Sequence, residues 1–336
     1  MKQTFSPKTG NLNLITDVGG LLVGQAEDPI AETGVTVLTC PSLWTAAVDI
    51  RGGGPGGRET AVLDPENLVG GVHAIVLTGG SVFGLAAADA VTVALSQEGK
   101  GLNINSCHNP VPIIPTAVLY DLANGGKKDW GNTPPYYQLG KTALQKADIS
   151  FDLGRAGAGY GALAGHVRGG IGSASLDLGD GIIVGALVAA NPVGSPYMDD
   201  NRHFWAWPFE IGQEFGGEKP DIRQVSYNDP FPDIERLSEN FRLKGGANTM
   251  LAVVATTAEL DRNQTKRLAI MAQDGFARAV RPVHTPFDGD TLFALSSGAV
   301  SITEGKIANL ELARIGSAAA DCVTRAIARA VYYANK

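Results

Sequence analysis

The chain has little cysteine, little charge and few aromatic residues. Three cysteines, Cys40, Cys107 and Cys322, are scattered over 336 residues. They form no Cys-x-x-Cys pair and are odd in number, which argues against a disulfide framework or a cysteine zinc site. The thiols read instead as small apolar side chains in a reducing compartment. Charged residues make up 18% of the chain and aromatics 7%, the former below the usual quarter. Lysine and arginine number 27 against 34 acidic residues, a net charge of −7, with no basic run. The clustered cations that drive binding to nucleic-acid phosphates are therefore missing. Long apolar runs are absent too: the longest, residues 181–190, falls short of the ~20 residues needed to span a bilayer. The N-terminal segment carries Lys2 and Lys8 without a compact apolar core. No signal peptide, membrane or nucleic-acid partner is expected, and a soluble cytoplasmic protein is.

Glycine is what the chain has in excess. It contributes 43 of 336 residues, about 13% against a usual share near 7%. With 44% hydrophobic residues and no Gly-x-y period, disorder and collagen are excluded. Apolar stretches rich in Val, Ile and Leu at 35–39, 46–50, 74–78, 182–189, 251–255 and 292–295 read as strands. Residues 81–98, 259–280 and 310–334 have helical spacing. Strands interrupted by only a few long helices predict a layered α+β sandwich in one domain, 1–336, rather than a regular βαβ series. Residues 195–246 mix prolines, charges and aromatics without a period, and read as a long surface excursion.

Chemistry concentrates at segment junctions. Gly245-Gly246-Ala247-Asn248-Thr249 runs directly into the apolar strand. A Thr hydroxyl needs a base, and its own α-amino group becomes one once the preceding peptide bond is cut. An ordinary loop-to-strand junction is the plain alternative. His284-Thr285-Pro286-Phe287-Asp288-Gly289-Asp290-Thr291 precedes another strand. Asp288 and Asp290, one residue apart, lie on the same side of an extended backbone and can act on one group; an Asp-Gly turn is the alternative. His284 reads as a structural residue, since a lone histidine before a strand has no partner at metal-ligand spacing. Asn191-Pro192-Val193-Gly194 ends a strong strand, where an amide can donate to an oxyanion or simply form a turn. The glycine loops at 51–57, 79–81 and 154–161 lack the Lys-Ser/Thr of a phosphate loop and the dinucleotide fingerprint. No cofactor and no metal are expected.

Together the strings RGGGPGGRET (51–60), GVHAIVLTGGSVFGLAAAD (71–89), PTAVLYD (115–121), GRAGAGYGALAG (154–165), GGIGSAS (169–175), NPVG (191–194), NTMLAVVAT (248–256) and HTPFDGDTLF (284–293) resemble the DmpA-type self-processing aminopeptidases. That family includes the β-peptidyl aminopeptidases and the nylon-oligomer endo-hydrolase. The resemblance implies a four-layer αββα sandwich of the DmpA and ornithine-acetyltransferase type. It implies a precursor cut between Asn248 and Thr249 into an α-chain, 1–248, and a β-chain, 249–336, which stay associated and assemble as a homo-tetramer or larger. It implies an N-terminal threonine amide hydrolase acting on a small peptide, amide or amino-acid oligomer. Thr249 matches the nucleophile, Asp288 and Asp290 the carboxylates that orient it, Asn191 the oxyanion asparagine, and Tyr120 an active-site tyrosine. Where relatives carry lysines this chain has His166 and Arg168, which implies slower or more pH-dependent processing, or His166 in the lysine's role at a lower pH. An ornithine or glutamate N-acetyltransferase, which shares the Thr-Met-Leu and Asp-Gly-Asp-Thr strings, and an inactive binding homologue are the competing readings.

Overall fold

A computed structural model describes residues 8–105, 108–198, 202–221, 223, 248–302 and 305–336; Cys107 and the Gly245-Gly246 pair lie outside them. The strands are β1 (Leu22–Asp28), β2 (Thr33–Ile50), β3 (Gly56–Arg58), β4 (Gly71–Thr78), β5 (Thr116–Val118), β6 (Leu163–Ala164), β7 (Val167–Arg168), β8 (Gly170–Asp177), β9 (Ile183–Asn191), β10 (Thr249–Ala258) and β11 (Thr291–Val300). The helices are α1 (Ala86–Gln97), α2 (Tyr136–Gln145), α3 (Arg262–Ala272), α4 (Asp274–Ala279) and α5 (Lys306–Ala334). Apart from the β6–β7 hairpin, the strands run β3-β5-β4-β2-β11-β10-β9-β8, with β1 added on β2.

The long β2 makes one hydrogen-bonded array serve as two layers. Its first half, 33–39, pairs with β1 and β4; past a register shift between Thr39 and Trp44, residues 45–50 pair with β11. Side-chain alternation then builds three cores. Val35, Val37, Ala74 and Val76 pack against α1 and α2. Leu38, Ile75 and Leu77 meet Leu187, Leu251, Val253 and Phe293 between the layers. Met250, Ala252 and Val254, the other face of β10, pack under α3, α4 and α5. Helices, sheet, sheet, helices is the αββα sandwich expected. All ten residues of β10 are buried, because it lies between β9 and β11 and is covered on both faces.

The two strands read separately at 35–39 and 46–50 are one, and the helix read at 259–280 is two. Asp261 caps the first of them: its carboxylate accepts the Gln264 N–H at 2.8 Å while Gln264 Oε1 accepts the Asp261 N–H at 2.9 Å, so the helix begins at Arg262. Strand β8 escapes an apolar-run reading because its sequence, GIGSASLD, is chosen for closeness rather than bulk. A Cβ on Gly172 would lie 1.8 Å from the Ala326 carbonyl oxygen of α5. Cys40 and Cys322 are free and buried, and burial pushes both thiols up to about 12, consistent with packing rather than reactivity.

The excursion read at 195–246 differs in its first part. Phe204, Ala206 and Phe215 are buried in the core under α5, although their irregular backbone leaves no period to detect. Glu214 anchors the same segment. Its carboxylate faces Arg325 of α5, Nε to Oε1 at 2.6 Å and Nη2 to Oε2 at 2.9 Å, and accepts from Asn13 Nδ2 at 2.6 Å. Arg325 and Glu214 side chains are 1% and 7% exposed. Removing one partner of such a pair strands a buried charge. Glu214→Ala is expected to destabilise the protein by about 3–5 kcal/mol, seen as a lowered melting temperature; an unchanged melting temperature would show that the pair is dispensable.

Candidate active site

Two strand pairings bring the chemistry-bearing residues to one end of the second sheet. Asn191, the last residue of β9, sits opposite Thr249, the first of β10, in the antiparallel register. On the other side Asn248 bridges in parallel to Asp288, just before β11. Thr249, Asp288 and Asp290 are at most 1% exposed. The Thr249 hydroxyl donates to the Asn248 carbonyl oxygen at 2.5 Å, and the same oxygen accepts the Gly289 N–H at 2.8 Å. Gly289 leaves room for this: a Cβ there would lie 2.6 Å from Thr249 Oγ1.

The loop 284–290 is held by backbone donors from the first glycine-rich loop. Arg51 and Gly52 N–H groups bond the Asp290 carbonyl at 3.1 and 3.3 Å, Gly53 bonds Thr285, and Gly54 bonds Asp288 at 2.8 Å. These glycines thus clasp the acidic loop rather than a phosphate. Asp290 accepts the Met250 N–H on Oδ1 at 2.8 Å. On Oδ2 it meets His284 twice, the backbone N–H at 3.1 Å and Nδ1 at 2.8 Å. Asp288 accepts from Val193 N–H at 3.2 Å on one oxygen, and from the Thr285 N–H and hydroxyl at 2.9 and 2.6 Å on the other. Burial first, and the neighbouring Asp290 carboxylate second, push the Asp288 carboxyl up to about 7, against the lowering effect of those hydrogen bonds.

Asn191 is locked by its neighbours. Its Oδ1 accepts the Leu163 N–H at 2.9 Å and Asn124 Nδ2 at 3.2 Å, while its Nδ2 donates to the Tyr120 carbonyl at 3.2 Å. The amide is thereby oriented, and among the described residues Nδ2 donates one of its two hydrogens. Tyr120 thus reaches the site through its backbone. Its neighbour Asp121 is buried and held by Thr33 Oγ1 at 2.5 Å and the Gly80 N–H at 2.8 Å, which ties the second glycine loop to the Tyr120 segment. Burial raises the Asp121 carboxyl above its ordinary value.

His166 is exposed in the β6–β7 turn, where the adjoining Gly165 N–H points to the Pro192 carbonyl at 3.5 Å. The Arg168 guanidinium lies 3.8 Å from Glu32, and its backbone is bracketed by the Asn335 side chain. The structure therefore gathers Asn191, Asn248, Thr249, Asp288 and Asp290 directly and Tyr120 by its carbonyl, while the turn that carries His166 meets the NPVG segment through the Gly165 N–H. Sequence reading missed Asn124, Thr285 and the Gly289 amide, whose roles depend on pairings between distant segments. It also left His284 as a bystander. Among the described residues no group of three or more His, Cys, Asp or Glu is placed to hold a metal ion, and no helix is long and apolar enough to cross a membrane.

The family model described as Peptidase family S58 matches residues 13–336. An uncharacterized aminopeptidase of Mycobacterium tuberculosis is 39% identical over 96% of this chain and 95% of its own length. A 6-aminohexanoate-oligomer endohydrolase of Paenarthrobacter ureafaciens is 30% identical, covering 88% of this chain and 78% of its own. Among solved structures, a Burkholderia sp. beta-aminopeptidase superposes with a TM-score of 0.69 at 25% identity, over 97% of this chain and 88% of that one. The L-aminopeptidase D-Ala-esterase/amidase of Ochrobactrum anthropi, a variant of the Ntn-hydrolase fold, gives 0.68 at 22% identity, over 97% and 87%. The chain belongs to peptidase family S58 and is a hydrolase of amide and peptide bonds.

Proposed function

We propose that this protein is a self-processing N-terminal threonine hydrolase that cuts its own Asn248-Thr249 bond and then uses Thr249 as nucleophile on peptides, amides or amino-acid oligomers. The observation that carries this reading is the scissile carbonyl itself. One oxygen receives both the Thr249 hydroxyl at 2.5 Å and the Gly289 amide at 2.8 Å, so nucleophile and oxyanion donor already face the bond to be cut. Membership of S58 favours hydrolysis over the acetyl-transfer reading.

In processing, Thr249 Oγ bonds to the Asn248 carbonyl carbon and the Gly289 N–H stabilises the oxyanion. The C–N bond breaks and its nitrogen takes up the proton that the hydroxyl lost. The resulting ester is hydrolysed by water, which frees the Asn248 carboxylate and the Thr249 hydroxyl and amine. In turnover that amine takes the hydroxyl proton as Oγ attacks the substrate carbonyl and returns it to the leaving amine. Asn191 Nδ2 serves as an oxyanion donor, and Asp288 and Asp290 hold the threonine end of β10. The acyl-enzyme is then cleared by water. The likeness to a 6-aminohexanoate-oligomer endohydrolase and a beta-aminopeptidase supports a peptide or amide oligomer as substrate. With β10 central in the sheet, the two chains stay together after the cut.

Mass spectrometry of the purified wild type is expected to give chains 1–248 and 249–336, the latter beginning Thr-Met-Leu, and Thr249→Ala to remain whole. A variant that still splits at this bond would remove Thr249 as the processing nucleophile. The carboxylate pair makes a second prediction. A carboxyl raised from 3.8 to about 7 on folding stabilises the protein fully at low pH and loses that contribution as pH rises through about 7. Asn at 288 has no such titration. The melting-temperature advantage of wild type over Asp288→Asn, made in the uncut Thr249→Ala background, should therefore shrink between about pH 4 and pH 8. An advantage that is constant or grows would contradict the raised value.

A further inference from the structure

His284 lies outside the proposed machinery yet its side chain bonds directly to one of the two carboxylates, Asp290. Three features set it apart from a loop residue that happens to be near. Both of its nitrogen donors, backbone N–H and Nδ1, converge on the same oxygen, Asp290 Oδ2, at 3.1 and 2.8 Å. The other oxygen of Asp290 takes the Met250 N–H at 2.8 Å, so the carboxylate bridges His284 to the residue that follows Thr249. To place both donors, His284 adopts φ +55°, a left-handed conformation that a side chain with a Cβ rarely takes and that costs free energy unless the surroundings impose it. Its ring leans on Phe276 of α4, centroids 5.7 Å apart, and its side chain is 19% exposed while that of Asp290 is fully buried.

Resting on the threonine-nucleophile reading, we propose that His284 is a positioning residue for this reaction: it clamps Asp290 so that the carboxylate holds the start of β10, and with it the Thr249 hydroxyl, against the carbonyl to be attacked. An ionised carboxylate only accepts, so against one the ring nitrogen Nδ1 carries the proton. The clamp acts through Asp290 and touches neither Oγ nor the scissile carbon. Its loss would loosen the alignment of nucleophile and carbonyl, to which rates are steeply sensitive.

Substitutions separate the hydrogen bond from the backbone conformation. Glycine takes positive φ freely but brings no ring donor; asparagine tolerates positive φ and offers Nδ2 where Nδ1 stood. The self-cleavage rate of the full chain, followed by mass spectrometry after cell-free synthesis, is the readout, with melting temperature as the check on folding. His284→Gly is expected to fold and to cut roughly 10- to 100-fold more slowly, and His284→Asn to recover to within a few-fold of wild type. A folded His284→Gly that cuts at the wild-type rate overturns the inference, as does a folded His284→Asn as slow as the glycine variant. If the glycine variant does not fold, the asparagine variant decides alone: near-wild-type cutting supports the clamp and slow cutting refutes it. Thr249→Ala run in parallel keeps the two claims apart, because cutting in that variant refutes the underlying reading and not the clamp.

Discussion

The structure depends on β10 being paired on both edges and covered on both faces. An antiparallel neighbour sets Asn191 opposite Thr249, and a parallel neighbour brings Asp288 alongside Asn248. A strand at a sheet edge has one neighbour and could not have both adjacencies. The apolar alternation of residues 250–255 serves two cores at once, so a slip of one residue would turn each set of side chains into the wrong core. Register is therefore firmly held, and with it the pairing of Thr249 with Asn191 and of Asn248 with Asp288. The chemistry proposed here uses the precision that burial imposes for reasons of stability.

That same burial creates the electrostatic character of the site. Two carboxylates one residue apart, both almost inaccessible, cannot both be ionised without cost. The loop answers with donors: Val193 and Thr285 on Asp288, Met250 and His284 on Asp290. The glycine-rich loop 51–57 carries the second tier of support by bonding the carbonyls of Thr285, Asp288 and Asp290. The excess of glycine in the chain is thus explained in part by backbone acting as a donor around the acidic loop and by close packing of backbone on backbone where β8 meets α5.

Much of this was legible in the sequence because the relevant residues stand at the ends of strongly apolar strands. Thr249 begins one, Asn191 ends another, and Asp288 and Asp290 precede a third, so strand reading alone puts them at sheet ends. What stayed hidden depends on three-dimensional closure. Gly289 matters through its amide, which no side-chain motif records. His284 looks solitary in the sequence because its partner is six residues away across a turn with φ +55°. Asn124 lies in a loop with no periodicity and meets Asn191 only once the sandwich is closed. The packing of Glu214 in the excursion against Arg325 was invisible for the same reason: irregular backbone can be buried without leaving a period.

The most direct test of the central claim is to catch the acyl group during turnover. Processed enzyme would be mixed with amino-acid p-nitroanilides or a 6-aminohexanoate oligomer, quenched in acid and peptide-mapped. The account predicts that the acyl mass appears on the peptide that begins with Thr249, and only in protein whose Asn248-Thr249 bond has been cut. An acyl group on any other residue, or turnover by chains that remain whole, would contradict it.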